Sequence, residues 1–235
     1  MKAGAMQMAG IDNLQVEKKG TIDLVTQVDR EVEQMFRALV AERFPDHAVL
    51  AEEFEMRGDR QNEAEYCWVF DPVDGTTNYA HGLPIFCCAC SLERHRQPIV
   101  AAIYDPSRKE LFTAQRGRGA WLNGAPMRVS AIADPAGGIL QTGVPSRASA
   151  ESMALFEGRL RTWRKVRMIG SAATALAYVA AGRAEAYRES GSMIWDVAGG
   201  CALVKAAGGE FHIGGSGLDQ PLEVAAGNAR TPLPQ

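Results

Sequence analysis

The 235-residue chain is long enough for one large domain or two intimately packed small ones, and 46% hydrophobic, 23% charged residues and 24 glycines are ordinary for a soluble α/β protein. A net charge of −3, with no Lys/Arg run interleaved with aromatics, gives no electrostatic case for a nucleic-acid partner. The N-terminal residues lack the charged and apolar regions of a signal peptide, and no stretch approaches the roughly 18 apolar residues of a membrane span, so a cytoplasmic protein with no membrane partner is expected.

In chain order, Met1 to Gln15 is weakly periodic and reads as the end of a helix. Val16 to Asp23 is polar and contains Gly20, hence a loop or hairpin tip. From Val28 the apolar residues Val28, Val32, Met35, Phe36, Leu39 and Val40 recur at helical spacing, predicting an amphipathic helix that ends by Pro45 and carries Asp29 in its first turn. Ala48 to Ala51 is a short strand delivering Glu52 and Glu53, of which alternation lets only one face a given site. Glu55 to Glu65 is a charged loop.

Tyr66-Cys67-Trp68-Val69-Phe70 is a buried strand, and Asp71-Pro72-Val73-Asp74-Gly75-Thr76-Thr77-Asn78-Tyr79 follows it directly. Pro72 fixes φ and Gly75 opens a conformation closed to other residues, so a tight turn aiming Asp71 and Asp74 one way is expected. Clustered carboxylates require a proton or a cation, and all-oxygen ligands favour a hard ion such as Mg2+. Gly75-Thr76-Thr77 then opens a short helix whose free N–H groups suit phosphate. Read alone, Asp-x-x-Asp-Gly is also an ordinary acidic turn.

Strands at Ile85–Glu93, Ile99–Tyr104 and Glu110–Gln115, joined by short polar turns, predict an antiparallel meander, followed by a Gly-rich hairpin at Arg116–Gly124. Of five cysteines, Cys87, Cys88 and Cys90 share one strand; adjacent strand residues face opposite ways and no partner Cys-x-x-Cys exists, so they read as small core hydrophobes. Ala131 to Gly138 is the best boundary, dividing an α+β half at 1–133 from an α/β half at 134–235 within one catalytic unit. Beyond it come a strand at Ile139–Thr142, a helix near Ser149–Arg161, a strand near Val166–Ile169 and a helix at Ala172–Ala181 opened by Gly170-Ser171. A strand at Ala184–Arg188, a helix at Val197–Ala206 with Asp196 at its opening, and strands near Glu210–Ile213 and Leu222–Ala226 complete the alternation.

Asp71 to Tyr79 resembles the signature of the inositol monophosphatase family of Mg2+-dependent, Li+-sensitive phosphatases, whose wider superfamily includes fructose-1,6-bisphosphatase. Ala51-Glu52-Glu53 and Trp195-Asp196-Val197-Ala198-Gly199-Gly200 match two further motifs in the family order, and the resemblance runs from about Lys18 to about Asn228. It implies a layered α-β-α-β-α sandwich of the sugar-phosphatase type. Glu52, Asp71, the Val73 carbonyl, Asp74 and Asp196 would hold two or three Mg2+ ions, and Lys18 would approach that site. Asp29 and Thr76 would orient an attacking water, with Glu52 also catalytic. Asp74, Gly75, Thr76, Ser171, Ala172, Glu189 and Asp196 would contact substrate, and the chain would be a homodimer. Phe54 departs from the small or hydroxyl residue usual there, which removes a ligand from that position.

The resemblance implies hydrolysis of a small-molecule phosphate ester. Glu189, seven residues before Asp196, matches the inositol-specific members and favours inositol 1-phosphate; histidinol phosphate and fructose 1,6-bisphosphate are the alternatives. An inactive metal-binding relative, or a chain acting through protein contacts, is the non-enzyme alternative, disfavoured because neither a ligand carboxylate nor the Thr of the signature is missing. Compared with the family the first helix looks short and little follows Asn228, which would bear on folding or dimer packing rather than chemistry.

Overall fold

The computed structural model describes residues 1–11, 16–18, 24–54, 64–143, 149–215 and 220–234, excluding the side chains of Val16, Lys18, Leu24 and Val25. The hairpin tip and most of the charged loop expected at Glu55–Glu65 lie outside these residues.

Helix α1 (Lys2–Gly10) precedes a two-stranded ribbon, β1 (Val16–Lys18) against β2 (Leu24–Thr26). Helix α2 (Gln27–Arg43) starts on a Thr26 cap whose backbone N–H returns a 2.9 Å hydrogen bond to Asp29. Its apolar stripe buries Val28, Val32 and Val40, while Leu39, assigned to the same stripe from spacing, is 40% exposed.

A seven-stranded sheet contains β3 (Ala48–Ala51), β4 (Tyr66–Asp74), β5 (Cys87–Arg94), β6 (Gln97–Asp105), β7 (Glu110–Gln115), β8 (Gly119–Leu122) and β9 (Ala125–Met127) in chain order. Only β3 and β4 run parallel, so the expected meander is present from β4 onward. Helix α3 (Thr76–Ala80) leaves β4 through Gly75, whose φ of 94° favours glycine and where a Cβ would fall 2.9 Å from the Ile85 carbonyl.

The second sheet holds β10 (Ile139–Thr142), β11 (Lys165–Arg167), β12 (Ala186–Ser192), β13 (Glu210–Gly214) and β14 (Leu222–Gly227) in the order β11-β10-β12-β14-β13. It is parallel through β11, β10 and β12 and antiparallel beyond. Strand β11 is shorter and earlier than expected, and β12 runs on through Ser192, so Glu189 lies inside a strand rather than in a connection to the next helix. Helices α4 (Ala150–Thr162), α5 (Ala172–Ala180) and α6 (Ile194–Ala206) complete the chain.

The layers alternate: α1 and α2, the seven-stranded sheet, α5 and α6, the five-stranded sheet, then α4. The largest core joins Ile103 and Phe112 of the first sheet to Tyr187 and Val224 of the second through Leu176, Val179 and Leu203 of the helices between them. The Gly199-Gly200 pair makes that layer thin: a Cβ at Gly200 would meet the Leu176 Cβ at 2.4 Å, and one at Gly199 the Cys90 carbonyl at 3.3 Å. Cys87 faces this core while Cys88 and Cys90 face the α1/α2 side, as alternation requires. All five cysteines are free, and burial pushes the Cys88 thiol up to about 11 and the Cys90 thiol up to about 12.

Candidate active site

A cavity of about 520 Å3 opens where the end of β4, the start of α3, the α5 and α6 N-termini and β12 meet. Glu52, Asp71, Asp74 and Asp196 line it together with Val73, Gly75 and Thr76, and so do Ser171, Ala172 and Glu189. All three carboxylate segments singled out in the sequence therefore reach one site. Lys18 pairs with Leu24 through its backbone, and its side chain lies outside the described residues.

Asp71 and Asp74 do not sit on a tight turn. Strand β4 continues through Asp74, and its register against β5 slips by one residue, with Asp71 opposite Ala89 and Asp74 opposite Cys87. Residues three apart on a regular strand face opposite ways; the extra residue of this bulge brings both carboxylates into the cavity. Pro72 fits because the bulge leaves a backbone position without a ladder bond. Its carbonyl accepts a 2.8 Å bond from the Gln7 side-chain amide of α1.

Thr76 donates to the Val73 carbonyl at 2.9 Å and lies 3.4 Å from Asp29 Oδ1, so the Asp29–Thr76 pairing is formed at the long end of hydrogen-bond range. Asp29 is fully buried, and burial raises its pKa against the lowering hydrogen bonds from Thr26. Asn78 received no role from its sequence position, yet its amide donates at 2.8 Å to both the Ile85 and Ile169 carbonyls, tying α3 to the turn before α5.

Asp74 occupies the N-terminus of α5. Its carboxylate accepts from the N–H groups of Ala172 at 3.1 Å and Ala173 at 2.8 Å, and from the Ser171 hydroxyl. The donors expected to meet substrate at Ser171 and Ala172 are thus engaged by Asp74, a consequence of the helix dipole attracting the nearest anion. Burial raises the Asp74 pKa, and these hydrogen bonds oppose the rise. Asp196 is the third residue of α6 rather than its cap; the helix begins three residues earlier than expected, and Asp196 accepts the Met193 N–H at 2.7 Å.

Among the described residues, no three His, Cys, Asp or Glu side chains converge on one point at ion-ligand distance. Asp71, Asp74 and Asp196 each direct an oxygen to an internal donor instead, Asp71 to the Val73 N–H at 2.9 Å. The electrostatics nevertheless fit a divalent cation. Asp71 is pushed well above the usual carboxylate range by burial first, then by the charges of Glu52, Asp74 and Asp196, and a hard cation is the partner that such an all-oxygen set accepts. A separate cavity of about 400 Å3 between β6, β7 and the end of α6 is lined by residues such as Ile99, Ala202 and Phe211 and has no carboxylate, so it lacks that chemistry.

Glu189 faces the carboxylates from β12. It accepts the Tyr187 hydroxyl at 2.8 Å, and burial raises its pKa despite that bond. Its carboxylate rests against Gly143, where a Cβ would lie 2.1 Å from Glu189 Oε1. Neither Tyr187 nor Gly143 was singled out from sequence; spacing carries no sign of a contact made across a parallel sheet.

The sequence profile of the inositol monophosphatase family matches residues 2–230. Nus factor SuhB of Escherichia coli is 40% identical over 225 residues, covering 93% of this chain and 83% of that protein. An inositol-1-monophosphatase of Mesorhizobium japonicum is 36% identical over 237 residues, covering 97% and 88%. The crystal structure of the extragenic suppressor protein suhB from Bartonella henselae superposes with a TM-score of 0.88 at 34% identity, over 98% of this chain and 91% of that one. The chain belongs to the inositol monophosphatase family.

Proposed function

We propose that the chain is a Mg2+-dependent phosphomonoesterase whose preferred substrate is inositol 1-phosphate, hydrolysed with water to inositol and phosphate. The observation that carries this reading is that Glu52, Asp71, Asp74 and Asp196 line one cavity together with the acceptor Glu189. Glu52, Asp71, the Val73 carbonyl, Asp74 and Asp196 would hold two or three ions, and the family resemblance adds Lys18 and inhibition by Li+. Bound Mg2+ would supply Lewis-acid polarisation of the phosphoryl group and neutralise the clustered carboxylates.

The chain's own groups account for the remainder. In this reading Thr76 Oγ1 would accept a hydrogen bond from an attacking water and turn its own proton from the Val73 carbonyl, 2.9 Å away, to Asp29 Oδ1 at 3.4 Å. Burial favours the protonated form of Asp29, which suits a group that takes up that proton. In the same reading the N–H groups at Gly75 and Thr76 would meet the transferring phosphate, and Glu189 would accept hydrogen bonds from ring hydroxyls of the leaving group. A cytoplasmic location and a homodimer complete the proposal; among the described residues no helix is long and apolar enough to cross a membrane.

Histidinol phosphate and fructose 1,6-bisphosphate are the competing substrates. A phosphate-release assay with Mg2+ across these and inositol 1-phosphate tests the choice: highest kcat/KM on inositol 1-phosphate is expected, and a higher value on any other overturns it. A second reading comes from the relatives named Nus factor, which favour a role exerted through a macromolecular partner. It predicts that such a role survives in a chain whose hydrolysis has been removed by Asp74→Asn.

A further inference from the structure

Glu52 stands just past the last residue of β3, an edge strand whose pairing to β4 stops at Ala51 and Phe70. The sheet therefore does not fix the backbone that carries it. What holds this segment is the side of α2. Glu33 is fully buried, and its carboxylate accepts the Glu53 N–H at 2.7 Å and the Phe54 N–H at 3.2 Å. Arg37, one turn on, donates from Nε to Glu33 at 2.7 Å and from its two terminal nitrogens to the carbonyls of Val49 at 3.3 Å and Phe54 at 3.1 Å. The pair thus grips the chain both before and after Glu52, on its donor side and its acceptor side.

Asp29, Glu33 and Arg37 are spaced four apart and so share one stripe of α2. The first reaches Thr76 and the other two reach the Glu52 segment, so a single rigid helix sets the distance between the two parts of the site. We propose that Glu33 and Arg37 are positioning residues for Glu52, acting through the backbone of residues 52–54 to fix it relative to Thr76. A buried charge is well suited to holding backbone in this way, since the Glu33 carboxylate is neutralised by Arg37 and by two N–H groups, and charge-assisted bonds resist displacement better than neutral ones. This inference rests on the assignment of Glu52 to the cation site, and its test is read on metal binding rather than on hydrolysis.

The experiment is a calorimetric titration of the full chain with Mg2+ for the wild type, Glu33→Gln, Glu52→Gln and the double variant, with thermal unfolding recorded in parallel without metal. Glu33→Gln keeps the side-chain shape but places an amide N–H2 against backbone donors. It is expected to weaken Mg2+ binding about 10–100-fold, the usual effect of disturbing a group that orients a ligand. In the Glu52→Gln background it should cost little more, because the two changes act through one ligand. Fully additive losses, or a lowered Tm with Mg2+ affinity unchanged, would overturn the proposal. Should Glu33→Gln fail to fold, Arg37→Met, which keeps an apolar stem, is expected to give the same non-additive pattern with a smaller loss, and additive losses there count equally against it. A wild type that binds Mg2+ but hydrolyses no phosphate ester would contradict the phosphatase reading alone, since the positioning role is decided by the titrations.

Discussion

Asp71 and Asp74 share a strand, a bulge and a cavity, yet their surroundings treat their charges in opposite ways. Asp74 is held by the α5 N-terminus through two N–H groups and the Ser171 hydroxyl, so protein dipoles compensate its ionised form. Asp71 has one short-range donor, the Val73 N–H, and looks onto three other carboxylates. The difference sets Asp74, whose charge the α5 N-terminus already compensates, apart from Asp71, which under the proposed function depends more heavily on a cation.

Neutralising each carboxylate in turn should separate the two. Asp71→Asn and Asp74→Asn should both lower turnover by several orders of magnitude at saturating Mg2+, since each removes a ligand charge. Their effects on the metal-free fold should differ in sign. Charge counting alone would have both variants relieve repulsion and survive. The geometry instead has Asp74→Asn leave buried donors of α5 mismatched, at a cost of about 1–3 kcal/mol, while Asp71→Asn raises Tm. Near-normal turnover in either variant would remove that residue from the ligand set.

A pH series sharpens the same contrast. The Asp71 pKa is raised in the folded chain, so the stability associated with its protonated form is fully present below the unfolded value near 3.8 and is lost as pH rises through the higher folded value. The Tm advantage of Asp71→Asn over wild type, both without metal, should therefore widen from acid toward neutral pH and shrink when Mg2+ is added. A constant gap across pH would contradict the charge-repulsion account.

Smaller effects are expected at the positions that touch no ion. Thr76→Ala should reduce kcat by about 10²–10⁴-fold, the usual contribution of a proton-transfer group, with Mg2+ affinity nearly unchanged. Glu189→Ala should lower kcat/KM for inositol 1-phosphate by about ten- to a hundredfold, the loss of one charge-assisted bond of about 1.5–3 kcal/mol, and leave a simple aryl phosphate almost untouched. Equal losses on both substrates would move Glu189 from selection to chemistry or structure. Gly143→Ala, whose new methyl would displace the Glu189 carboxylate, should reproduce that substrate-dependent loss more weakly.

Legibility in the sequence followed the type of force involved. Apolar periodicity marked α2, and turn residues marked the meander, because those elements are set by local pattern and burial. The carboxylate motifs were legible because their residue types are unusual at that spacing. The bulge in β4 was not, since it depends on the partner register, and Pro72 and Gly75 together read equally well as a turn. Glu33 was hidden for another reason: a glutamate four residues before an arginine on an amphipathic helix reads as a solvated ion pair, and only the fold shows that backbone from residues 53 and 54 covers it.

Whether this carboxylate cluster works as a cation site for phosphate-ester hydrolysis can be read from phosphate release from inositol 1-phosphate before and after exhaustive chelation with EDTA. Activity should be lost on chelation and return on adding Mg2+; full activity in the chelated enzyme would rule out a cation site.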